Sequence, residues 1–382
     1  MKRNVDRKPS LMSAESVATD CWRKSFRRKR LASSGVVVLC LAVLAGCSAP
    51  SSHTAYLSLP QMDAVASFRI NNGTAKFTPI VGSPFFTGSS PGPVVVDPAK
   101  RFLYVANRND DTISRFKIDS AIGSLTEVTP RVSTGLTPSD MVMNSAGTFL
   151  FVVNQISSNI SVYSVDASSG ALTQVSGSPF STPPNPVRLA ISPSGNFLYV
   201  VNGNLALVFG YAVDSSGGLQ PVPQSPFPVG IGPLDIAIDP GEKFVYVVNS
   251  SDNTVTIDSI NSAGSLTPIV GSPVAAGTTP ISLTVSPSGT YVYIANQGSS
   301  NITAYMIDPT NGTPTLLTGS PFSGGTSPSL IVSDPNGNFV YTVSQSSSTI
   351  TVLSVTAGTG ALATTGGSAS TLVAPASMFV TK

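Results

Sequence analysis

The segment Phe102-Leu-Tyr-Val-Ala-Asn107 decides the fold, because close copies of it return along most of the chain. Five copies follow at spacings of 47, 48, 47, 47 and 48 residues, and they begin at Phe149, Phe197, Phe244, Tyr291 and Phe339. A degraded copy, Thr54-Ala-Tyr-Leu-Ser-Leu59, precedes the first by 48 residues, which makes seven. A fixed period of this length indicates one supersecondary unit repeated in an array or a ring.

Each repeat is predicted to form four short strands. In one repeat the apolar stretch 187–192, the turn Pro193-Ser194-Gly195 and the strand 197–201 follow one another, with β-branched and aromatic residues dominating. Turn residues recur every eight to twelve positions, and no segment keeps helical spacing. We therefore predict an all-β fold over residues 54–382, a seven-bladed β-propeller with four antiparallel strands per blade.

The two ends of the repeat region are complementary. The first blade, residues 54–80, lacks an innermost strand, and the C-terminal segment Pro375-Ala-Ser-Met-Phe-Val-Thr381 matches the innermost strand that begins at Pro186. The C-terminal strand is therefore predicted to complete the first blade and to close the ring, which removes an unpaired sheet edge.

Three short motifs recur with the repeat, namely the Tyr-Val-Ala-Asn strand, a Gly-x-Leu-Thr turn and a Gly-Ser-Pro-Phe link. The turn occurs at Gly123, Gly170 and Gly264, and the link at Gly82, Gly177 and Gly319. Together they resemble the YVTN-repeat family, which merges into the lactonase-like seven-bladed propellers named for 6-phosphogluconolactonase and carboxymuconate cyclase relatives. The resemblance implies ligand binding at the mouth of the central channel, where the innermost strands begin.

The first 47 residues carry the features of an export signal. The basic run Arg27-Arg28-Lys29-Arg30 precedes nine apolar residues, 36–44, which are too short to span a bilayer as a helix. Leu44-Ala45-Gly46-Cys47 then resembles a bacterial lipoprotein signal, in which the cysteine is lipidated. We expect a signal peptide over 1–46, a lipidated Cys47 and a tether over 47–53. The expected location is the bacterial cell envelope. By resemblance to lipoprotein sorting rules, Ser48 rather than Asp after the cysteine favours the outer membrane.

Charge and rare residues exclude several function classes. Residues 1–46 hold ten Lys/Arg against three Asp/Glu, so the remainder is acidic, with eleven against sixteen, and nucleic-acid binding is not expected. Residues 54–382 contain no His, Cys or Trp. This excludes a Cys or His nucleophile, a structural zinc site and internal disulfides there, and we expect no metal and no cofactor.

Aligning the repeats gives one residue per blade at the predicted channel mouth. Three consecutive blades place Asp140, Arg188 and Asp235 there, and the other four place Pro93, Ser282, Leu330 and Ser377. Two interpretations stay open, a site where Arg188 binds a carboxylate or carbonyl and an Asp orients water, or an ion pair between blades. Ser282 and Arg108, which lies in a loop on the same side, are further ligand-binding candidates.

The sequence favours a lipid-anchored, monomeric binding module, whose partner is a polar small molecule, a glycan or an envelope protein. A lactonase or muconate cyclase is the alternative, with Arg188, Asp140 and Asp235 as weak catalytic candidates. The absence of His argues against it, as do the positions of Glu127 and Glu242, the only Glu in the propeller, which are predicted to lie away from the mouth. A structural role in an envelope complex is a third possibility, and it would require an exposed apolar face.

Overall fold

The computed structural model describes residues 52–381, and within them the chain forms seven antiparallel sheets. The predicted signal peptide, Cys47 and the predicted tether up to residue 51 lie outside this range. The innermost strands of neighbouring sheets contact one another in a cycle that returns to its start, so the sheets are the blades of a closed ring. The predicted all-β, seven-bladed propeller is confirmed.

The blades are numbered 1 to 7 along the chain, and each runs from an innermost strand to an outer strand. The innermost strands, from blade 1, are Ser377–Val380, Pro91–Val96, Pro138–Met143, Pro186–Ile191, Pro233–Ile238, Pro280–Val285 and Leu330–Ser333. The second strands are Ser52–Leu59, Phe102–Asn107, Phe149–Asn154, Phe197–Asn202, Phe244–Asn249, Tyr291–Asn296 and Phe339–Ser344. The third strands are Ala64–Asn71, Thr112–Ile118, Asn159–Val165, Leu207–Val213, Thr254–Ile260, Asn301–Ile307 and Thr349–Val355.

The outer strand is continuous in two blades and divided in the other five. It is continuous in blades 2 and 7, as Leu125–Ser133 and Leu362–Ser370. The divided pairs are Phe77–Pro79 with Phe85–Phe86, Leu172–Gln174 with Phe180–Ser181, Leu219–Pro221 with Phe227–Pro228, Leu266–Pro268 with Val274–Ala275, and Pro314–Leu316 with Phe322–Ser323. A Ser-Pro step lies between the two halves of every divided strand, and its Ser hydroxyl accepts a hydrogen bond from a third-strand N–H, as Ser178 does from Val162 at 2.9 Å.

The C-terminal strand closes the ring in the predicted register. Ser377–Val380 pairs antiparallel with Ser52–Leu59, so the two ends of the described chain share blade 1. This first strand begins at Ser52, which places Ser52 and His53 in the blade rather than in the predicted tether. His53 is buried, and its Nε2 lies 3.3 Å from Asp334 of blade 7, so it belongs to the packed structure.

The repeated tyrosine of the second strand connects neighbouring blades. Tyr104 is fully buried and donates a hydrogen bond to the carbonyl of Gly170 in the next blade at 2.8 Å, and the same bond occurs in three other blades. Gly170 has a φ of +69°, and a Cβ there would lie 2.6 Å from the Phe102 ring. The Gly of the Gly-x-Leu-Thr motif is therefore required by close packing between blades.

The antiparallel strands give the propeller two faces, which matter for the site. Innermost strands begin, and second strands end, on one face, which we call the site face because it bears Arg188. Second strands begin on the other, which we call the Ser52 face. The part of the chain that the structure describes contains one 3-10 turn, Pro60–Met62, and no helix there is long and apolar enough to cross a membrane.

Candidate functional site

A β-bulge at the start of the innermost strand shapes the site face in five successive blades. In blade 3, Pro138 pairs with Asn154 and Asp140 with Val153, so Ser139 is an extra residue without a partner on the second strand. Blades 2, 4, 5 and 6 show the same shift in register. A bulge redirects side chains. Here it separates two sets of residues, namely the extra residues of the five bulges and the residues that directly follow them.

The residues that follow the bulge bring three charges together, as the sequence alignment predicted. Arg188 Nη1 lies 3.4 Å from Asp140 Oδ1, and Arg188 Nε lies 3.8 Å from Asp235 Oδ1. The side chain of Arg188 is 30% exposed, whereas the two carboxylates are 14% and 16% exposed. The cation is therefore the most exposed member of this group.

The two carboxylates also connect their blades to the next ones through the backbone. Asp140 Oδ2 accepts a hydrogen bond from the N–H of Leu189 at 3.0 Å, and Asp235 Oδ2 accepts one from the N–H of Leu283 at 2.9 Å. Ser282 makes the same contact at 3.4 Å to a backbone N–H of blade 7 and is buried. These three side chains thus satisfy backbone donors on the innermost strand of the next blade, which has a strand partner on one side only.

Burial and the neighbouring charges shift the pKa values of Arg188 and Asp235 in opposite directions. Burial opposes the charge on Arg188, but Asp140 and Asp235 together raise its pKa above the ordinary value. Burial raises the pKa of Asp235, and the nearby Arg188 offsets part of that rise. Asp235 is therefore a stronger base than an ordinary exposed aspartate once it is ionised.

A cavity of about 230 Å³ opens beside this cluster on the site face. Its lining comprises Arg108, Thr137, Ser139, Gln155, Val187, Arg188, Leu234 and Ile281. Four of these are the extra residues of the bulges in blades 3 to 6, and three of the four are apolar. The cavity therefore combines an apolar surface with two guanidinium groups, an arrangement suited to a small molecule that carries a carboxylate or carbonyl.

Arg108 has an unusual environment within this cavity. Its Nη2 donates to the carbonyl of Ser139 at 3.3 Å, while its Nε is buried without a hydrogen-bond partner. The side chain lies across Gly92, where a Cβ would come within 2.6 Å of that Nε. Burial lowers the pKa of Arg108, and the positive charge of Arg188 lowers it further. A ligand oxygen near Arg108 would satisfy a buried donor and reduce this repulsion.

The remaining charged residues of the Arg108 loop have structural partners. Asp110 accepts a hydrogen bond from the N–H of Ser89 at 2.7 Å and lies 3.6 Å from Arg131. Asp111 accepts one from the N–H of Thr137 at 2.7 Å. Asp110 therefore holds the connection from blade 1 to blade 2 in place, and Asp111 holds the connection from blade 2 to blade 3.

The repeated asparagine at the end of the second strand is also structural. Asn107 is fully buried and donates to the hydroxyls of Thr112 and Ser114 on the third strand, and Asn249 and Asn296 make equivalent bonds. Asn202 differs, because it donates to a backbone carbonyl, that of Pro184. In most blades the preferred partners are thus side chains of the next strand.

The channel is lined mainly by apolar side chains towards the Ser52 face. A cavity of about 480 Å³ there is lined mainly by the far halves of the innermost strands, including Val96, Met143, Ile191 and Ile236. Glu242 lies on this face, where its carboxylate accepts bonds from Ser194, and Glu127 pairs with Arg131 on an outer strand. Neither Glu lines the site-face cavity, in agreement with the sequence analysis.

Within residues 52–381 no group of three or more His, Cys, Asp or Glu side chains is arranged to hold a metal ion. Asp308 instead accepts hydrogen bonds from the N–H groups of Thr310 and Asn311, which makes it an ordinary turn residue.

The structure adds residues that the sequence alignment did not select. It brings Asp140, Arg188 and Asp235 together and places Arg108 at the same cavity, whereas Ser282 is buried behind Asp235. The apolar lining comes from the residue before each aligned position. That residue follows a proline in every repeat, so the same alignment read one position earlier would have indicated it.

The fold and the residues at its mouth define a seven-bladed propeller with a small, cationic site. The family described as "Lactonase, 7-bladed beta-propeller" matches residues 47–189 and 184–380, and the chain belongs to this family. A search of curated proteins gives no match.

Solved structures of lactonase-like propellers are similar in fold. A putative 6-phosphogluconolactonase from Bacteroides fragilis is 21% identical, with a TM-score of 0.75 over 87% of this chain and 98% of the other. A putative 6-phosphogluconolactonase from Bacteroides uniformis is 19% identical, with a TM-score of 0.75 over 86% and 99%. The periplasmic gluconolactonase of Pseudomonas aeruginosa is 18% identical, with a TM-score of 0.74 over 87% and 99%. At these identities the likeness shows the fold alone.

Proposed function

We propose that this propeller binds a sugar-acid lactone in the site-face cavity and hydrolyses it. The observation that carries the proposal is the pair of guanidiniums, Arg108 and Arg188, beside an apolar surface at the channel mouth. Membership of the lactonase propeller family and the fold shared with gluconolactonases support the choice of substrate class. The alternative reading of the sequence is thereby preferred to the binding module.

The two arginines of the cavity and Asp235, which lies beside Arg188, can be assigned to steps of lactone hydrolysis. Water adds to the carbonyl carbon, and the negative charge that develops on the carbonyl oxygen is stabilised by the guanidinium of Arg188 or Arg108. Asp235 accepts the proton of the attacking water, because burial has raised its pKa. The ring C–O bond then breaks, and that proton passes to the leaving alkoxide, so that a hydroxy acid is formed.

A second function is favoured by one specific observation. Asp140 and Asp235 already accept hydrogen bonds from backbone N–H groups and lie beside Arg188, which leaves them less available as bases. A propeller that binds a sugar acid, a glycan or an envelope protein without turnover would need only the cations. This was the main reading of the sequence, and it predicts binding without hydrolysis.

One experiment separates the two functions. Lactones with and without a phosphate group are followed by acid release, using wild type, Arg108→Ala, Asp235→Asn and the control Arg131→Ala on an outer strand. We expect Arg108→Ala to raise KM by about tenfold or more and Arg131→Ala to leave the kinetics unchanged. We expect Asp235→Asn to lower kcat. Hydrolysis no faster than without protein would overturn the lactonase proposal, and saturable binding of the hydroxy acid would then support the second function.

We also propose that the propeller is held at the cell envelope by lipid on Cys47. The proposal rests on the sequence Leu44-Ala45-Gly46-Cys47 after an apolar run. Cys47→Ser is expected to release the protein from membranes, because the acyl chains provide the stable anchor. Retention of that variant after a salt wash would contradict the proposal.

A further inference from the structure

The positive charges of the propeller are concentrated in two of its seven blades. Of the ten Lys and Arg in residues 52–381, eight lie between residues 69 and 131, in blades 1 and 2. The same two blades, residues 52–133, hold six Asp and Glu, so their net charge is +2. The rest of the described chain has two cations and ten acidic residues, which gives −8. The net charge is therefore distributed unevenly between the blades. The proposed lactonase site on the site face does not require this uneven distribution.

Five of the eight cations lie on the Ser52 face and are exposed. They are Arg69, Lys76, Lys100, Arg101 and Lys117, which we call the basic cluster. Arg69 and Lys117 lie near the ends of third strands, Lys76 precedes the outer strand of blade 1, and Lys100 and Arg101 lie in the turn before the second strand of blade 2.

Acidic residues near the basic cluster are few. Asp97 is buried, accepts hydrogen bonds from the N–H groups of Arg101 and Phe102, and lies 3.7 Å from the Arg101 side chain. Asp119 is exposed and accepts backbone hydrogen bonds from its own turn. The cluster therefore keeps a positive excess where blades 1 and 2 meet solvent.

The chain enters the propeller within this cluster. Ser52 lines a cavity of about 340 Å³ together with Arg69, Lys100 and Arg101, and a neighbouring cavity of about 470 Å³ together with Arg69 and Lys76. Cys47 is five residues before Ser52. Five extended residues span at most about 17 Å, so an acyl anchor on Cys47 would hold these cations within reach of lipid headgroups.

We propose that the basic cluster is a membrane-docking surface for anionic lipid headgroups. The proposal rests on the anchoring of Cys47 and is independent of any lactonase activity. Each cation near an anionic surface adds to the attraction, whereas the acidic blades 3 to 7 are repelled. The propeller would thus contact the membrane through blades 1 and 2, with the Ser52 face towards the lipid and the Arg188 cavity towards the solution.

The test is amine labelling of the full-length protein, purified from membranes and reconstituted into vesicles. The vesicles contain phosphatidylcholine alone or with one third phosphatidylglycerol, and mass spectrometry reports the labelling of Lys76, Lys117 and Lys243. Lys243 is the matched control, because it lies on the Ser52 face but in acidic blade 5. In anionic vesicles we expect about threefold less labelling of Lys76 and Lys117, lost in high salt, and little change at Lys243.

Two variants sharpen the test. Arg69→Glu with Lys117→Glu should abolish the protection of Lys76 in anionic vesicles, whereas Lys243→Glu should preserve it. Equal labelling in both vesicle types, with Cys47 acylated by mass, would overturn the docking surface and leave the anchor intact. A Cys47 without acyl chains would instead overturn the anchoring proposal, and the two failures are therefore distinguishable. Lactone hydrolysis, measured on the same samples, reports independently on the site face.

Discussion

Asp258 stands where other blades place a large side chain, and we expect Asp258→Asn to stabilise the protein in a pH-dependent way. The equivalent third-strand residues include Tyr163 and Tyr305, whose hydroxyls donate to backbone carbonyls of the preceding blade at 2.6 and 2.7 Å. Asp258 is 2% exposed, and its Oδ1 is buried without a hydrogen-bond partner. Ionising it in this position is therefore costly.

The magnitude follows from the shift of its pKa. Burial raises the pKa of Asp258 from 3.8 to about 6. Since the folded state holds its proton more tightly than the unfolded state, the free energy of unfolding falls as pH rises from about 4 through 6. A shift of about 2 units corresponds to a loss of about 3 kcal/mol at pH 7 and above. For about 330 ordered residues this is about 4 °C in Tm.

Thermal unfolding of wild type and Asp258→Asn at pH 4 and pH 8 measures this effect. We expect a gain of about 2 to 3 kcal/mol at pH 8 and less than about 1 kcal/mol at pH 4, because wild-type Asp258 is already protonated in acid. Asp308→Asn is the control of opposite sign. Backbone hydrogen bonds from Thr310 and Asn311 lower the pKa of that exposed carboxyl, which therefore stays ionised in the folded state at pH 4, so its replacement should lose stability at both pH values. An equal gain from Asp258→Asn at both pH values would refute the reasoning.

Three further changes test the architecture and the site by thermal unfolding. Arg188→Met should destabilise by about 3 kcal/mol, because it leaves two mostly buried carboxylates without their cation, and an unchanged Tm would argue against the ion cluster. Deleting 375–382 removes the innermost strand of blade 1, so Tm should fall sharply and the second strand of that blade should exchange its amide protons faster; equal exchange would disprove closure. Tyr104→Phe should cost about 1 kcal/mol by losing its bond to Gly170, whereas Tyr246→Phe should cost nothing, because the Tyr246 hydroxyl has no partner; similar losses would contradict this assignment.

The repeat made much of the fold predictable, because one motif at a constant spacing specifies both strand and register. Aligning the copies placed Asp140, Arg188 and Asp235 at equivalent positions, and the blade geometry then brought them into contact. The cavity could not be predicted from the alignment of the repeats. It depends on a bulge that turns one residue per blade towards the channel, and on the long side chain of Arg108 crossing Gly92. Such features arise from packing between blades, which a pattern within one repeat does not contain.

The substrate is less predictable than the site for a related reason. The family name indicates lactones, yet the mouth of this propeller has arginines and aspartates, with neither Glu of the propeller at the cavity. Charge at the mouth is set by a few residues on otherwise similar strands. Members of one propeller family can therefore differ in chemistry while their cores stay the same.

The first blade combines strands from both ends of the propeller, and this determines when the ring can finish folding. The strand Ser52–Leu59 is among the first parts of the propeller to leave the ribosome, and its partner Ser377–Val380 is among the last. A chain interrupted anywhere in between therefore ends with an unpaired strand edge at blade 1, which is open to association with other chains. Completion of the ring is thus tied to synthesis of the strand Ser377–Val380, and a product truncated before that strand would be distinguishable by its exposed edge.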